Sequence, residues 1–276
     1  MNGITINIDP VIVQLGGFAL RWYSLTFAGG IAVAILLTLR QAGRAGLSTE
    51  KVSDVALWAV VGGLVGARLF HVVDRLDYYL ANPVEIVMVN HGGLAVWGGL
   101  ITGGLVALFV AKKEGISTSK MADATVFGLL VGQMVGRIGC IINGDAYGGP
   151  TGMPWGFIYA HPDAFIPDSL RGISTHPYPV YEILWGATLL GGFLLLRRWT
   201  LRDGMLFMVY VAGYSLGRFS LTFVRQEAIT LWGLQQAQVV ALATLVLAVA
   251  GAVYLARTPP PAPAKATRKA VRRAKR

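Results

Sequence analysis

Apolar residues fall into seven long runs along the chain, roughly Gly17 to Leu39, Val52 to Val73, Leu94 to Ala111, Ala122 to Ile142, Tyr178 to Leu196, Gly204 to Phe223 and Ala237 to Ala256. Each approaches the length of about 20 residues that an α-helix needs to cross a bilayer core. The runs are continuous and rich in Leu, Val, Ala and Gly. A lipid-facing β-barrel would instead show short segments of alternating polarity. The expected fold is therefore all-α, a polytopic membrane bundle of about seven transmembrane helices.

Composition agrees and excludes a water-soluble domain. With 54% hydrophobic residues, 14% charged residues and a mean hydropathy of +0.58, the chain carries more apolar surface than a soluble domain of this length can bury. Residues 1–16 include Asp9 and Pro10 and lack a cationic head, so they do not read as a cleavable signal peptide.

Charge adds orientation. Arg40, Arg44 and Lys51 follow the first run, Lys112, Lys113 and Lys120 the third, and Arg197, Arg198 and Arg202 the fifth. With the eight cations from Arg257 onward, 17 of the 24 Lys and Arg residues fall on one side. That side is expected to be cytoplasmic, with the N-terminus outside. Residues 258–276 are mostly Pro, Ala, Lys and Arg, so they are expected to form a disordered basic cytoplasmic tail beyond a membrane domain of residues 1–257. Such a segment fixes topology and touches anionic headgroups. A nucleic-acid partner is not expected, and the net charge of +10 is mostly tail.

Arg75, Arg171 and Arg225 fall in expected external loops, whereas Arg21, Arg68, Arg137 and Arg218 fall inside expected spans. An intramembrane guanidinium costs about 2.5–3.5 kcal/mol at a helix centre and less near the interface. By the alternating helix directions, all four lie in the outer half of the membrane. Tyr23, His91, Asn143, Asp145, Tyr181, Glu182 and Tyr214 map to the same half, so one outward-facing polar chamber is expected to gather them. Arg137 and Arg218 each close a G-x-x-x-G run, Gly132 to Gly136 and Gly213 to Gly217, a spacing that lets helices approach closely. At that depth the available anion is a phospholipid phosphate, which suits the guanidinium fork.

The segment Gly136-Arg-Ile-Gly-Cys-Ile-Ile-Asn-Gly-Asp-Ala-Tyr-Gly148 resembles the signature of the prolipoprotein diacylglyceryl transferase family. Asp9-Pro-Val-Ile with Leu20-Arg-Trp-Tyr-Ser24, His91-Gly-Gly-Leu94, His176-Pro-Tyr-Pro-Val-Tyr-Glu182, Tyr214-Ser-Leu-Gly-Arg-Phe219 and Phe223-Val-Arg-Gln226 resemble its other motifs in order. The chain departs from the pattern at Trp97, where a second His is usual, and at Cys140, Asp145 and Thr222, where Asn, Glu and Glu are common.

The resemblance implies a bacterial inner-membrane enzyme that moves a diacylglyceryl group from phosphatidylglycerol to the lipobox cysteine of a prolipoprotein signal peptide. Arg137 and Arg218 are the expected phosphate clamps and His91 the first candidate base, with Tyr23 also in the catalytic set. Asn143, Asp145, Gly148, Glu182, Tyr214 and Arg225 are expected to bind substrate, with Gly148 allowing a turn beside the site. No metal or cofactor is expected, because no Cys and His cluster has ligand spacing. Cys140 is expected to pack against a Gly-rich helix surface. A lipid transporter or scramblase with an arginine-lined chamber is the alternative, against which no strong internal repeat is visible.

Overall fold

The computed structural model describes residues 3–16, 18–88, 92–196, 201–225 and 229–258. The chain is mostly helical, with strands β1 (Ile4–Ile6), β2 (Val11–Leu15) and β3 (Phe18–Arg21) preceding helices α1 (Trp22–Arg44), α2 (Thr49–Asp74) and the short α3 (Leu76–Ala81). Then come α4 (Val96–Lys113), α5 (Thr118–Asn143), strands β4 (Phe157–Tyr159) and β5 (Ser174–Thr175), and α6 (Tyr178–Leu196). The chain continues with α7 (Met205–Thr222), β6 (Ile229–Leu231), β7 (Leu234–Gln235) and α8 (Gln236–Arg257).

Local chemistry sets several boundaries. Ser48 and Ser117 cap α2 and α5, their side chains accepting the backbone N–H of Lys51 and Lys120. Gly144, with φ of 77°, ends α5 in the left-handed conformation, and its N–H bonds Cys140 O at 2.9 Å. Gln235 and Gln238 form a capping box at the start of α8.

Among the described residues six helices are long and apolar enough to span a bilayer: α1, α2, α4, α5, α6 and α8. Large apolar side chains such as Leu36, Phe109, Leu195 and Leu247 are exposed along them, as the surface of a polytopic membrane protein requires. α7 occupies the sixth expected run but is not among the six. Arg218, Tyr210, Tyr214, Ser215 and Ser220 dilute its hydropathy.

The expected first span also begins late, at Trp22 instead of Gly17. β2 and β3 pair as an antiparallel hairpin immediately before it, so Arg21 closes a strand and lies outside the helix. The strands go unannounced in the hydrophobic pattern because two to five residues are too few to display a period.

Helices pack in pairs through small residues. α1 runs along α5, α2 along α4, and α7 along α8. At the first seam a Cβ on Gly30 would meet Gly132 O at 2.6 Å, and the reciprocal contact is equally close. At the second, Thr102 Oγ1 donates to Gly62 O at 3.1 Å, and a Cβ on Gly63 would meet Gly99 O at 3.3 Å. Asp123 of α5 accepts the N–H groups of Gly204 and Phe207 at 2.7 and 2.8 Å, capping α7 from a neighbouring helix.

Between α5 and α6 lies a cap built on β4, which pairs with β1 in parallel and with β5 antiparallel. Phe157, Tyr159, Ala164 and Ile166 form its core. Tyr159 ties it to the bundle, its hydroxyl donating to Ile141 O at 3.0 Å, and burial pushes the phenol pKa up.

Candidate functional site

A cavity of about 430 Å³ opens inside the bundle, walled by α1, α4, α5, α6 and α7. Tyr23, Arg137, Glu182, Tyr214 and Arg218 gather at one end, and Gln133 also lines the wall. Phe27, Ile31, Leu100 and Leu189 line the remainder, giving it an apolar floor.

Glu182 organises the polar end. Arg137 of α5 engages it twice, Nε against Oε2 at 2.5 Å and Nη2 donating to Oε1 at 2.9 Å. From α7, Arg218 Nη1 donates to the same Oε1 at 2.9 Å and to the Tyr178 hydroxyl at 2.8 Å. Two guanidinium groups thus share one carboxylate. The cluster keeps a net positive charge in a largely apolar setting, where an anion is attracted more strongly than in water. Arg137 also reaches Cys140 Sγ at 3.6 Å.

The G-x-x-x-G runs act differently from expectation. Gly132 carries the α1 contact, but Gly136 has open space where a Cβ would lie and lines the cavity. On α7, Gly213 and Gly217 accept Leu189 and Trp185 from α6. The Trp185 indole donates to Gly213 O at 3.0 Å. Glycine here admits side chains into the groove as much as it draws backbones together.

A sequence model of the family described as prolipoprotein diacylglyceryl transferase matches residues 10–254. The chain belongs to this family. It is 35% identical over 252 residues to the phosphatidylglycerol–prolipoprotein diacylglyceryl transferase of Gloeobacter violaceus, covering 90% of this chain and 93% of that protein. The Clostridioides difficile protein of the same name is 33% identical over 250 residues, covering 91% of this chain and 96% of that protein. That of Lysinibacillus sphaericus is 33% identical over 258 residues, covering 92% and 94%.

In this member of the transferase family the expected site residues do not form one chamber. Arg137, Arg218, Glu182, Tyr23 and Tyr214 meet at the cavity. Asn143 closes α5 and is 6% exposed; its Nδ2 donates to Asp145 Oδ1 at 3.0 Å, and neither residue lines the cavity. Asn143 Oδ1 is buried and has no hydrogen-bond partner among the described residues. The Arg225 guanidinium lies 5.2 Å from the centre of the Tyr178 ring, which Arg218 also approaches at 5.9 Å. His91 lies outside the described residues.

Gly148 serves close approach and does not depend on a positive φ. A Cβ there would come within 2.7 Å of both His176 Cβ and Val224 O. The backbone strands it separates are bonded on each side, Gly148 N to His176 O at 3.0 Å and Gly149 N to Val224 O at 2.8 Å.

The other two arginines expected inside spans lie elsewhere. Arg21 stacks over Phe165 of the cap at 4.4 Å, and Arg68 binds backbone carbonyls beyond α3. Depth alone places a residue at a height and not around a helix, so equal depth gathered four arginines that packing separates.

Sequence reasoning missed Tyr178, Trp185 and Gln133. Tyr178 and Trp185 lie four residues before and three after Glu182, so helical spacing from that residue signals both. Gln133 is an amide within an apolar run, and it donates to the Tyr210 hydroxyl at 2.9 Å. Cys140 is buried against Ala146 and Tyr178 and also lines the cavity beside Arg137. Among the described residues one group brings ligand atoms within 4.8 Å of one another, Asp9, His161 and Asp163; none lines the cavity.

Proposed function

We propose that this chain transfers the diacylglyceryl group of phosphatidylglycerol to the lipobox cysteine of a prolipoprotein signal peptide. The observation that carries the reading is family membership across nearly the whole chain. The two-arginine cluster at the end of a membrane cavity supplies its chemistry. The substrate sulfur attacks a glyceryl carbon, a thioether forms, and the carbon–oxygen bond breaks with its electron pair leaving on glycerol phosphate. The thiol proton goes to a base, for which His91 is the first candidate.

Leaving-group charge grows as the bond breaks, so fixed guanidinium groups bind the transition state better than the resting lipid. Glu182 occupies the Nε and Nη2 edge of Arg137, which makes it an aligning anion. Arg218 touches Glu182 through Nη1 and is the more direct phosphate contact. Tyr23 and Tyr214 orient headgroup oxygens, and the apolar floor takes the start of the acyl chains. Asn143, Asp145, Gly148 and Arg225 shape the rim where the peptide enters. The alternative of a transporter or scramblase finds no support in the family assignment.

α7 is the seventh span in this reading, placing the N-terminus outside and the C-terminus in the cytoplasm of a bacterial inner membrane. The reaction then takes place in the outer half. Residues 1–257 form the catalytic domain, and the basic segment after them serves topology. The deciding assay combines purified protein, phosphatidylglycerol and a synthetic lipobox peptide, read by mass spectrometry. A diacylglyceryl thioether on the peptide cysteine is the expected product. Unmodified peptide from demonstrably folded protein, across detergents and bilayers, overturns the reading.

A further inference from the structure

Arg68, near the end of α2, is 6% exposed and does not line the cavity. Its guanidinium is directed at the backbone between α3 and α4. Nε donates to Ile86 O at 2.9 Å, Nη1 to Gly92 O at 2.5 Å and Gly93 O at 2.9 Å, and Nη2 to Glu85 O and to Met88 O at 3.2 Å. The Tyr79 ring lies 5.2 Å from the guanidinium carbon. A rigid plane with five N–H donors suits a ring of carbonyls in a way that no other side chain does.

The loop is shaped to receive it. Gly92 and Gly93 have φ of 83° and 78°, a conformation that strongly favours glycine. A Cβ on Gly93 would lie 2.7 Å from Arg68 Nη1 and 2.6 Å from the His71 ring. Two residues further on, Ala95 N bonds Ala67 O at 2.9 Å. That bond sets the start of α4, whose Val96 and Leu100 wall the cavity.

We propose that Arg68 is a positioning residue for the transfer reaction, fixing the backbone on both sides of His91 and the first turn of α4 without touching either substrate. The inference rests on the transferase reading and on the place of His91 in it. One buried cation holds five carbonyls, those of Glu85, Ile86, Met88, Gly92 and Gly93, and with them the approach to α4. Loss of that cation leaves the loop free to sample other conformations.

The test uses full-length protein in phosphatidylglycerol nanodiscs and compares Arg68→Gln, Arg68→Lys and Gly93→Ala with the parent. Four quantities are measured: single-turnover rate with lipobox peptide, KM for the peptide, thermal unfolding, and hydrogen exchange across residues 84–95. The Arg68→Gln rate should fall about 10²-fold, the scale expected when a reacting group is displaced by about an ångström. Its KM should stay within about threefold, because no substrate contact is removed. Arg68→Lys keeps the charge but not the fork, so its rate should remain at least about tenfold below the parent. Gly93→Ala should reproduce the loss from the loop side. Exchange should rise in residues 84–95 and stay unchanged in α5, α6 and α7, which a general loss of folding would not produce. A parent-like rate in Arg68→Gln with a loosened loop overturns the inference, as does a rate that falls only with the folded fraction. Should Arg68→Gln fail to fold, Arg68→Lys and Gly93→Ala decide by the same criteria. An inactive parent removes the transferase reading itself and this inference with it.

Discussion

At the residue scale the proposed chemistry turns on one carboxylate between two guanidinium groups, and its parts are separable by substitution. Arg218→Ala removes a transition-state donor and should lower the single-turnover rate by about 10²–10³-fold. Arg218→Lys should fall between the parent and Ala, since an ammonium keeps charge but not the planar fork. Lipid binding measured alongside should change far less than the rate. A parent-like rate in Arg218→Ala would reduce Arg218 to a structural anchor. Glu182→Gln leaves two half-buried cations without their shared anion. Breaking a fully buried pair costs about 3–5 kcal/mol, and the partial exposure of both guanidinium groups puts the expected loss below that range. A thermal midpoint equal to the parent's would show that the carboxylate does not hold the arginines. Arg137, Arg218, Glu182, Tyr23 and Tyr214 were legible in the sequence because charge and hydroxyls at membrane depth demand a reason. The role of Arg68 was not, because its partners are backbone carbonyls, which leave no mark in residue identity.

At the element scale, glycine seams determine which helices meet. Gly217 lies under the Trp185 indole, and any Cβ there collides with it. The indole also bonds Gly213 O and lines the cavity. Gly217→Ala should therefore displace Trp185, cost about 1–3 kcal/mol of stability by overpacking, and slow turnover by moving Arg218. Trp185→Leu in the same background should recover stability by vacating the clash. If Gly217→Ala melts with the parent, the α6–α7 seam is looser than its geometry indicates. The hydrophobic runs start late at two helices, because Ser48 and Ser117 cap α2 and α5 so that they begin at Thr49 and Thr118, ahead of the expected Val52 and Ala122. The β2–β3 hairpin and the cap strands were not readable in the sequence, since β4 and β5 comprise three and two residues and form through pairing distant in sequence.

At the scale of the whole molecule, the two ends of the bundle differ in chemistry, and the side each faces decides where the reaction takes place. The basic turns between α1 and α2 and between α4 and α5 lie at one end; the cap, the β2–β3 hairpin and the arginine cluster lie toward the other. Positive-inside bias predicts that the first end is cytoplasmic. With α7 counted as a span, the termini then lie on opposite sides. Cys140 is the one native cysteine, and Cys140→Ala should leave turnover within a few-fold of the parent, since the substrate supplies the reacting thiol. That background permits single reporters at Ala45→Cys, in the exposed α1–α2 turn, and Ser169→Cys, on the exposed surface of the cap. In intact cells whose outer barrier admits a membrane-impermeant maleimide, Ser169→Cys should label at once. Ala45→Cys should label only after the inner membrane is opened. Truncation after Arg257 should leave both patterns intact and turnover within a few-fold, because the spans before it already carry nine interior cations by sequence. The reverse labelling pattern would turn the arginine cluster toward the cytoplasm. A reaction in the outer half of the membrane would then be wrong.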